Sequence, residues 1–461
     1  MDDIRKENRM GTMPVKKLLI AMSVPMMISM LVQALYNVVD SIFIGQYSSQ
    51  AFTAVSLAFP IQMLIIAVSI GTAVGMNSLL SRRLGEKHYD DANAAASNGV
   101  FLGILSWAAF LIFGLFFARM FFESFTSDAE VIRMGTEYTS ICTIFSIGVF
   151  MQVMCERIMQ ATGVTIYNMI IQIIGAVINI ILDPILIFGY LGFPEMGAAG
   201  AAVATVAGQL VAMVFGFYFV RKKVKDVSLR FKGFRPNRRI IKEIYVVGVP
   251  TIIMQAIGSV MIAGLNLILI KFSQAAVSVL GAYFRLNSFI FMPVFGLNNG
   301  LIPIVGYNYG ARKKERIYGT IKFALILAVV IMLIGLLIFQ FFPAQLLGFF
   351  NASPEMLAIG THALRIISIC FPFAALGIVL SGTFQAVGNG VLSMLVSLCR
   401  QLFIILPVAY FLSLSGNVDN VWYSFLIAEG VSLIISLSFF RHVHKKYLKP
   451  LDNPAITPPG L

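Results

Sequence analysis

Charge is scarce in this 461-residue chain: Asp, Glu, Lys and Arg make up 12% of it, about half the share of a soluble globular chain. So little charge excludes a mostly water-facing surface. Histidine is scarcer, and the four present (His88, His362, His442, His444) are scattered among loops and helix ends, which argues against a histidine-based zinc or catalytic cluster. Cys142, Cys155, Cys370 and Cys399 all fall inside apolar runs at spacings that fit neither a disulfide framework nor a metal site. They read as small packing residues. No His-Glu-x-x-His, no Gly-x-Ser-x-Gly and no His–carboxylate cluster is present, so an intramembrane enzyme is disfavoured and the chain reads as a non-enzyme.

What fills the sequence is apolar. Hydrophobic residues make up 58% and the mean hydropathy is +0.87. Twelve runs are long enough to cross a bilayer as helices, at about 17–45, 52–81, 94–118, 132–157, 164–190, 197–220, 243–271, 277–308, 317–342, 356–382, 390–414 and 420–441. The fold class is an all-α integral membrane protein. Met1 to Lys17 is charged and lacks a small-residue cleavage site, so no removable signal peptide is read and the first run serves as its own insertion signal. The net charge of +13 follows the loops: 27 of the 34 basic residues lie in 5–17, 82–87, 221–242, 312–322 and 441–449, all on one side if both termini are cytoplasmic. The other loops carry Glu123, Asp128, Glu130, Glu195, Glu355 and Asp419. The positive-inside rule accounts for the basic balance with no nucleic-acid partner, and predicts a multi-pass plasma-membrane protein with cytoplasmic termini. The basic central loop can also touch anionic lipid.

Slid against itself, the chain repeats at one offset. Val24-Pro25 matches Val249-Pro250, 225 residues on; Gly71, Gly75 and Gly85 match Gly296, Gly300 and Gly310; Gln160-Ala161-Thr162-Gly163 matches Gln385-Ala386-Val387-Gly388. The expected organisation is a six-helix lobe over 1–220, a basic cytoplasmic linker over 221–242, a second six-helix lobe over 243–445 and a tail over 446–461. Six is even, so the repeats are parallel, with a central cleft between lobes where a transporter places its substrate. A rocking pair of lobes fits this better than a channel.

Four motifs carry a resemblance along nearly the whole chain: Tyr36–Gly45 (YNVVDSIFIG), the Gln160–Gly163 turn, Asn179–Gly189 (NIILDPILIFG) and Gly197–Thr205 (GAAGAAVAT). Together they resemble the multidrug and toxic compound extrusion (MATE) family, and the Asp of the first run with the Asn-x-x-x-Asp-Pro of the fifth resembles its DinF-like branch. The resemblance implies export of diverse, often cationic, amphiphilic small molecules coupled to inward movement of sodium or protons. It also implies cation coupling at Asp40, Asn179, Asp183 and Thr205. No cofactor beyond the coupling ion is expected, and a monomer is expected. A lipid-linked precursor flippase of the same superfamily is the alternative. It would carry a more cationic cleft for a pyrophosphate, and Arg285 and Arg400 alone make a poor one.

The residues themselves support a site. Helical spacing places Gln33, Tyr36, Asn37 and Asp40 on one stripe, and Asn179 and Asp183 on another. Asp40 and Asp183 lie about 35 and 29 Å from the cytoplasmic ends of their runs, close enough in depth to meet. Pro184 cannot donate to the carbonyl of Ile180, which frees an acceptor one turn from Asp183. Carboxylates, an amide oxygen, the Thr205 hydroxyl and a freed carbonyl are hard ligands suited to Na+ or to sharing a proton. For Gln33, Asn37 and Thr205, hydrogen-bonded helix glue remains an equal reading. For the two aspartates it is weaker, because Asn would glue as well without a charge. The second repeat has Leu265 and Val408 in their places, so the coupling site belongs to the first lobe. Its own charges are Arg285, Arg400 and Glu429. Arg400 and Glu429 lie about 15 and 18 Å deep, either as a structural ion pair or with Glu429 attracting cations. Glu156 and Arg157 read as snorkelling residues at a helix end.

Overall fold

The computed structural model describes residues 8–229, 234–350 and 352–453; Arg5, Lys6, Arg230, Lys232 and the tail beyond 453 lie outside the described residues. Helix dominates, and no strand occurs among the described residues. The first repeat begins with a short α1 (Arg9–Thr12) and α2 (Val15–Tyr47), then α3 (Ser49–Gly85), α4 (Tyr89–Phe116), α5 (Ala118–Glu123), α6 (Ala129–Ile144), α7 (Ile147–Ala161), α8 (Ile166–Phe188) and α9 (Ala198–Lys223). The second holds α10 (Arg238–Leu269), α11 (Gln274–Gly310), α12 (Lys314–Phe341), α13 (Pro343–Gly348), α14 (Pro354–Ser368), α15 (Phe371–Ala386), α16 (Gly390–Leu398), α17 (Ile405–Ser413) and α18 (Val418–Val443).

Among the described residues, ten spans are long and apolar enough to cross a membrane as single pieces. The other two, read from the sequence as unbroken runs over 132–157 and 356–382, are each a bent pair: α6–α7 turn by 41° and α14–α15 by 49°. At the first break Ser146 donates to the carbonyl of Thr143 at 2.8 Å, a side-chain bond that competes with the helix ladder. The second break falls at the repeat-equivalent place and is followed by Pro372, which starts a helix readily. A third departure is a π-helical stretch, Cys399–Ile404, between α16 and α17.

The 225-residue offset is written into the backbone. Ser48 and Ser273 both cap the next helix, accepting from Ala51 N (2.9 Å) and Ala276 N (3.2 Å). Lys87 and Arg312 both adopt left-handed conformations, with φ of 63° and 55°.

The chain forms two compact units, one of Ile28–Ile252 and one of residues up to Met27 with Ile253 onward. The boundaries fall inside α2 and α10, two residues past Pro25 and Pro250, and not at the basic stretch 221–242. In the first unit the opening half of α10 packs on α3, where a methyl at Gly75 would overlap the carbonyl oxygen of Ile244. In the second unit the opening half of α2 packs on α11, where a methyl at Gly300 would overlap Ser23, and Ser23 Oγ donates to Leu297 O at 3.3 Å. Only glycine permits backbones this close, a common device between helices in lipid.

Candidate functional site

Within the first unit, α8 and α9 pack tightly enough for short polar side chains to bridge them. A methyl on Gly208 would sit 2.6 Å from the carbonyl oxygen of Gly175, so the helices touch backbone to backbone. One turn on, the Asn179 amide spans the gap, 3.4 Å from Asp183 Oδ1 and 3.2 Å from Thr205 Oγ1. With its oxygen turned toward α9, the amide accepts from the Thr205 N–H (3.3 Å) and hydroxyl (3.2 Å) while its nitrogen donates to Asp183 Oδ2 (3.3 Å). That orientation gives every group a complementary partner and is the one adopted here.

Asp183 is 0% exposed, and the half-buried Asp40 carboxyl from α2 comes within hydrogen-bonding reach of it. Asp40 Oδ1 is itself buried and receives no donor. Two carboxyl groups this close, with an orphaned oxygen, need a proton or a cation between them. The surrounding donor set is oxygen from Asp40, Asp183, Asn179 and Thr205, which fits a proton or Na+. Among the described residues no three His, Cys, Asp or Glu side chains converge, so this is not the ligand set of a transition metal.

The structure adds residues that the sequence reading missed. Gln62 on α3 donates to the Tyr138 hydroxyl on α6 at 2.6 Å. Cys142, one turn from Tyr138 on α6, is buried with it in the same core cluster, within electrostatic range of Asp40. Tyr36 lies within electrostatic range of both aspartates. The available signal was a glutamine inside an apolar run and a Tyr-x-x-x-Cys pair on one helical face.

Other candidates fall elsewhere. Asn37 is exposed, and its carbonyl accepts from Ser41 Oγ at 2.8 Å; Gln33 is half-buried. Leu265 is buried. In the second unit Arg285 is exposed, whereas Arg400 Nη1 lies 2.8 Å from Glu429 Oε1. Arg157 does not snorkel. It is buried and donates to Gln160 Oε1 at 2.8 Å, and Gln152 donates to Glu156 at 3.0 Å, because polar partners await both residues inside the unit.

The chain is similar to the multidrug export protein MepA of Staphylococcus aureus (26% identity over 425 residues, 92% of this chain and 93% of the relative). It is similarly close to MepA of Staphylococcus haemolyticus (26% over 422 residues, 91% and 92%). Among solved structures, an outward-facing multidrug resistance MATE family transporter of the MOP superfamily superposes with a TM-score of 0.90 at 26% identity, over 97% of this chain and 99% of that one. A MOP superfamily transporter from Pyrococcus furiosus, described as having a binding pocket of reverse polarity, matches with the same score and coverage. The MatE family profile matches twice, over residues 25–185 and 250–411, once per repeat, and the chain belongs to the MatE family of membrane transporters.

Proposed function

We propose that the chain is a multidrug exporter of the DinF-like branch: an antiporter of the plasma membrane, working as a monomer with both termini cytoplasmic. It moves amphiphilic, often cationic compounds outward by alternating access, coupled to inward flow of sodium or protons. The observation that carries this reading is the meeting of Asp40 and Asp183 beside Asn179 and Thr205. Two carboxylates in a poorly solvated pocket cannot both stay bare, since desolvation and mutual repulsion both oppose it. The pair relaxes by taking up Na+ or H+. Neutralisation removes charge that favours a cationic ligand and lets α2 repack, which lowers substrate affinity and drives release. The multidrug export function of the MepA relatives supports the substrate class.

The test is reconstitution into proteoliposomes loaded with ethidium, with a sodium gradient and a pH gradient imposed separately. One of the two is expected to drive ethidium against its concentration gradient. If neither does, the antiport reading fails. Orientation is checked with a Ser48→Cys variant in a cysteine-free background, which is expected to label with an impermeant thiol reagent on intact cells. Labelling only after lysis would reverse the topology.

A further inference from the structure

A cavity of about 580 Å³ lies where the α11–α12 turn meets the end of the described chain. It is lined by four cations (Arg312, Lys313, Lys314 and Arg316), two carboxylates (Glu315 and Asp452) and Tyr318, so the described lining has a formal charge of +2. All four cations are half-buried, whereas Arg221, Lys223 and Lys225, where α9 ends, are exposed. Basic residues that only mark one side of the membrane gain nothing from being drawn into a cavity. The repeat sharpens the contrast. At the α3–α4 turn, 225 residues earlier, stand Lys87, His88, Tyr89, Asp90 and Asp91. Asp90 and Asp91 there complement the positive end of the α4 dipole. At the start of α12, Lys314 and Arg316 oppose the dipole beside Glu315, and the N-cap residue Lys313 makes no side-chain capping bond.

The walls of the cavity are built. Lys313 Nζ donates to Gly11 O at 2.9 Å, and Arg316 donates to Met10 O (2.9 Å), Met13 O (2.7 Å) and Asn308 Oδ1 (3.0 Å). These acceptors are neutral, so they position the two cations without cancelling their charge. Opposite them, the short turn Lys449–Asp452 is anchored by buried Leu451, and Asp452 pairs with Lys314. The chain's own carboxylate thus already marks Lys314 as an anion contact. Arg312 Nη1 donates to Asn453 O at 3.3 Å. The Tyr318 hydroxyl is enclosed and has no hydrogen-bond partner, with Lys314 and Asp452 in electrostatic range. An enclosed O–H donor among excess cations calls for an anionic acceptor. Depth completes the picture. From Ile326 onward α12 exposes an apolar stripe of Ile326, Val330, Leu333 and Leu337, the face of a lipid contact. That stripe begins eight residues, about 12 Å, past Tyr318, which puts the cavity at the level of lipid headgroups.

We propose that this cavity binds a phosphate ester, the headgroup of an anionic phospholipid or a soluble counterpart, through Arg312, Lys314 and Tyr318. The phosphate oxygens accept from the Tyr318 hydroxyl and from the two cationic side chains, and Lys313 and Arg316 add their field. Asp452 competes with the phosphate for Lys314. Under the topology proposed above, the site faces the leaflet where basic segments meet anionic lipid. Lys313 and Arg316 also hold α1, which leads through Pro14 into α2. An anion in the cavity relieves repulsion among the four cations and so tightens the packing of α1 on α11 and α12. The site depends on neither the exported substrate nor the coupling ion.

The test is native mass spectrometry of the purified full chain in detergent, titrated with phosphatidylglycerol, phosphatidylcholine or glycerol 3-phosphate, with Tm followed in parallel. Phosphatidylglycerol is expected to bind saturably, at least about tenfold tighter than phosphatidylcholine, whose choline cancels the phosphate charge, and to raise Tm. Displacement of bound phosphatidylglycerol by equimolar glycerol 3-phosphate would assign the site to soluble phosphates, and lack of displacement assigns it to lipid. Lys314→Gln is expected to weaken phosphatidylglycerol about tenfold, the loss of one charge-assisted contact. Tyr318→Phe is expected to weaken it several-fold and to leave the lipid-free Tm unchanged, since its hydroxyl has no partner to lose. Asp452→Asn, which removes the competitor, is expected to tighten it several-fold. Lys225→Gln, at an exposed lysine outside the cavity, is expected to change it less than about twofold. The proposal is overturned if neither phosphatidylglycerol nor glycerol 3-phosphate binds in preference to phosphatidylcholine. It is overturned too if Lys225→Gln weakens binding as much as Lys314→Gln, which would mean diffuse attraction and no site. Unchanged binding by Tyr318→Phe, or weaker binding by Asp452→Asn, would reduce the cluster to an internal clamp on the chain's own end.

Discussion

The two units share a scaffold and differ in what they place between the same pair of helices. Caps, left-handed turns, broken spans and close glycine contacts recur 225 residues apart. Against that constancy, α8 and α9 hold Asn179, Asp183 and Thr205 over a glycine contact, whereas Cys399–Ile404, α17 and α18 hold Arg400 and Glu429 over a π-helical turn. One unit gathers two acids that need a counter-ion from solution. The other supplies its counter-ion from its own chain. The comparison teaches that the two repeats keep one scaffold and differ in the few polar residues set on it.

The comparison breaks first at the acids. Asp40→Asn and Asp183→Asn are each expected to abolish gradient-driven export at matched amounts of folded protein. Leu265→Met, a volume-conserving change at the place equivalent to Asp40, is expected to leave export within about twofold. Next come the close contacts. Gly75→Val and Gly300→Val each force a side chain into backbone, and each is expected to lower stability by about 1–3 kcal/mol, read as a fall in Tm and folded yield. Equal losses would confirm that the two contacts are equivalent, and a loss in one alone would break the symmetry. Gly281→Ala, with nothing within 4 Å, is the control that should not lower Tm. The caps come next: Ser48→Ala and Ser273→Ala are each expected to cost about 1 kcal/mol, measured the same way. The smallest effect belongs to Asn37→Ala. Its side chain is exposed, so export is expected to change less than about twofold.

Much of this was legible in the sequence because helices in lipid must be long and apolar, and because polar residues are costly there. The apolar runs, the repeat, the matching depth of Asp40 and Asp183 and the shared face of Asn179 and Asp183 follow from spacing and depth. The grouping of Thr205 with them was implied by the family resemblance. The bend at Ser146 was not legible, since neither Phe145 nor Ser146 is a helix breaker and a serine hydroxyl only competes locally with the ladder. Nor were Gln62 and Tyr138, which meet from helices 76 residues apart through tertiary packing alone. The unit boundaries inside α2 and α10 were hidden for the same reason. Glycines at 71, 75, 296 and 300 announce close packing but do not name the partner. Arg400 and Glu429 were visible as charges at similar depth, whereas the π-helical turn depends on hydrogen bonding that no residue pattern announces.

The central claim is that substrate and coupling ion compete through Asp40 and Asp183. Linkage makes this measurable without transport, because a ligand whose affinity falls when the ion binds must itself expel the ion. The measurement is the release of protons, followed in weakly buffered solution, and of sodium, followed with a selective electrode, as ethidium is titrated into purified protein. The unaltered chain is expected to release one or the other in proportion to ethidium bound. Asp183→Asn is expected to bind ethidium and release neither. Undiminished release from Asp183→Asn and Asp40→Asn would contradict the account and place the coupling elsewhere in the molecule.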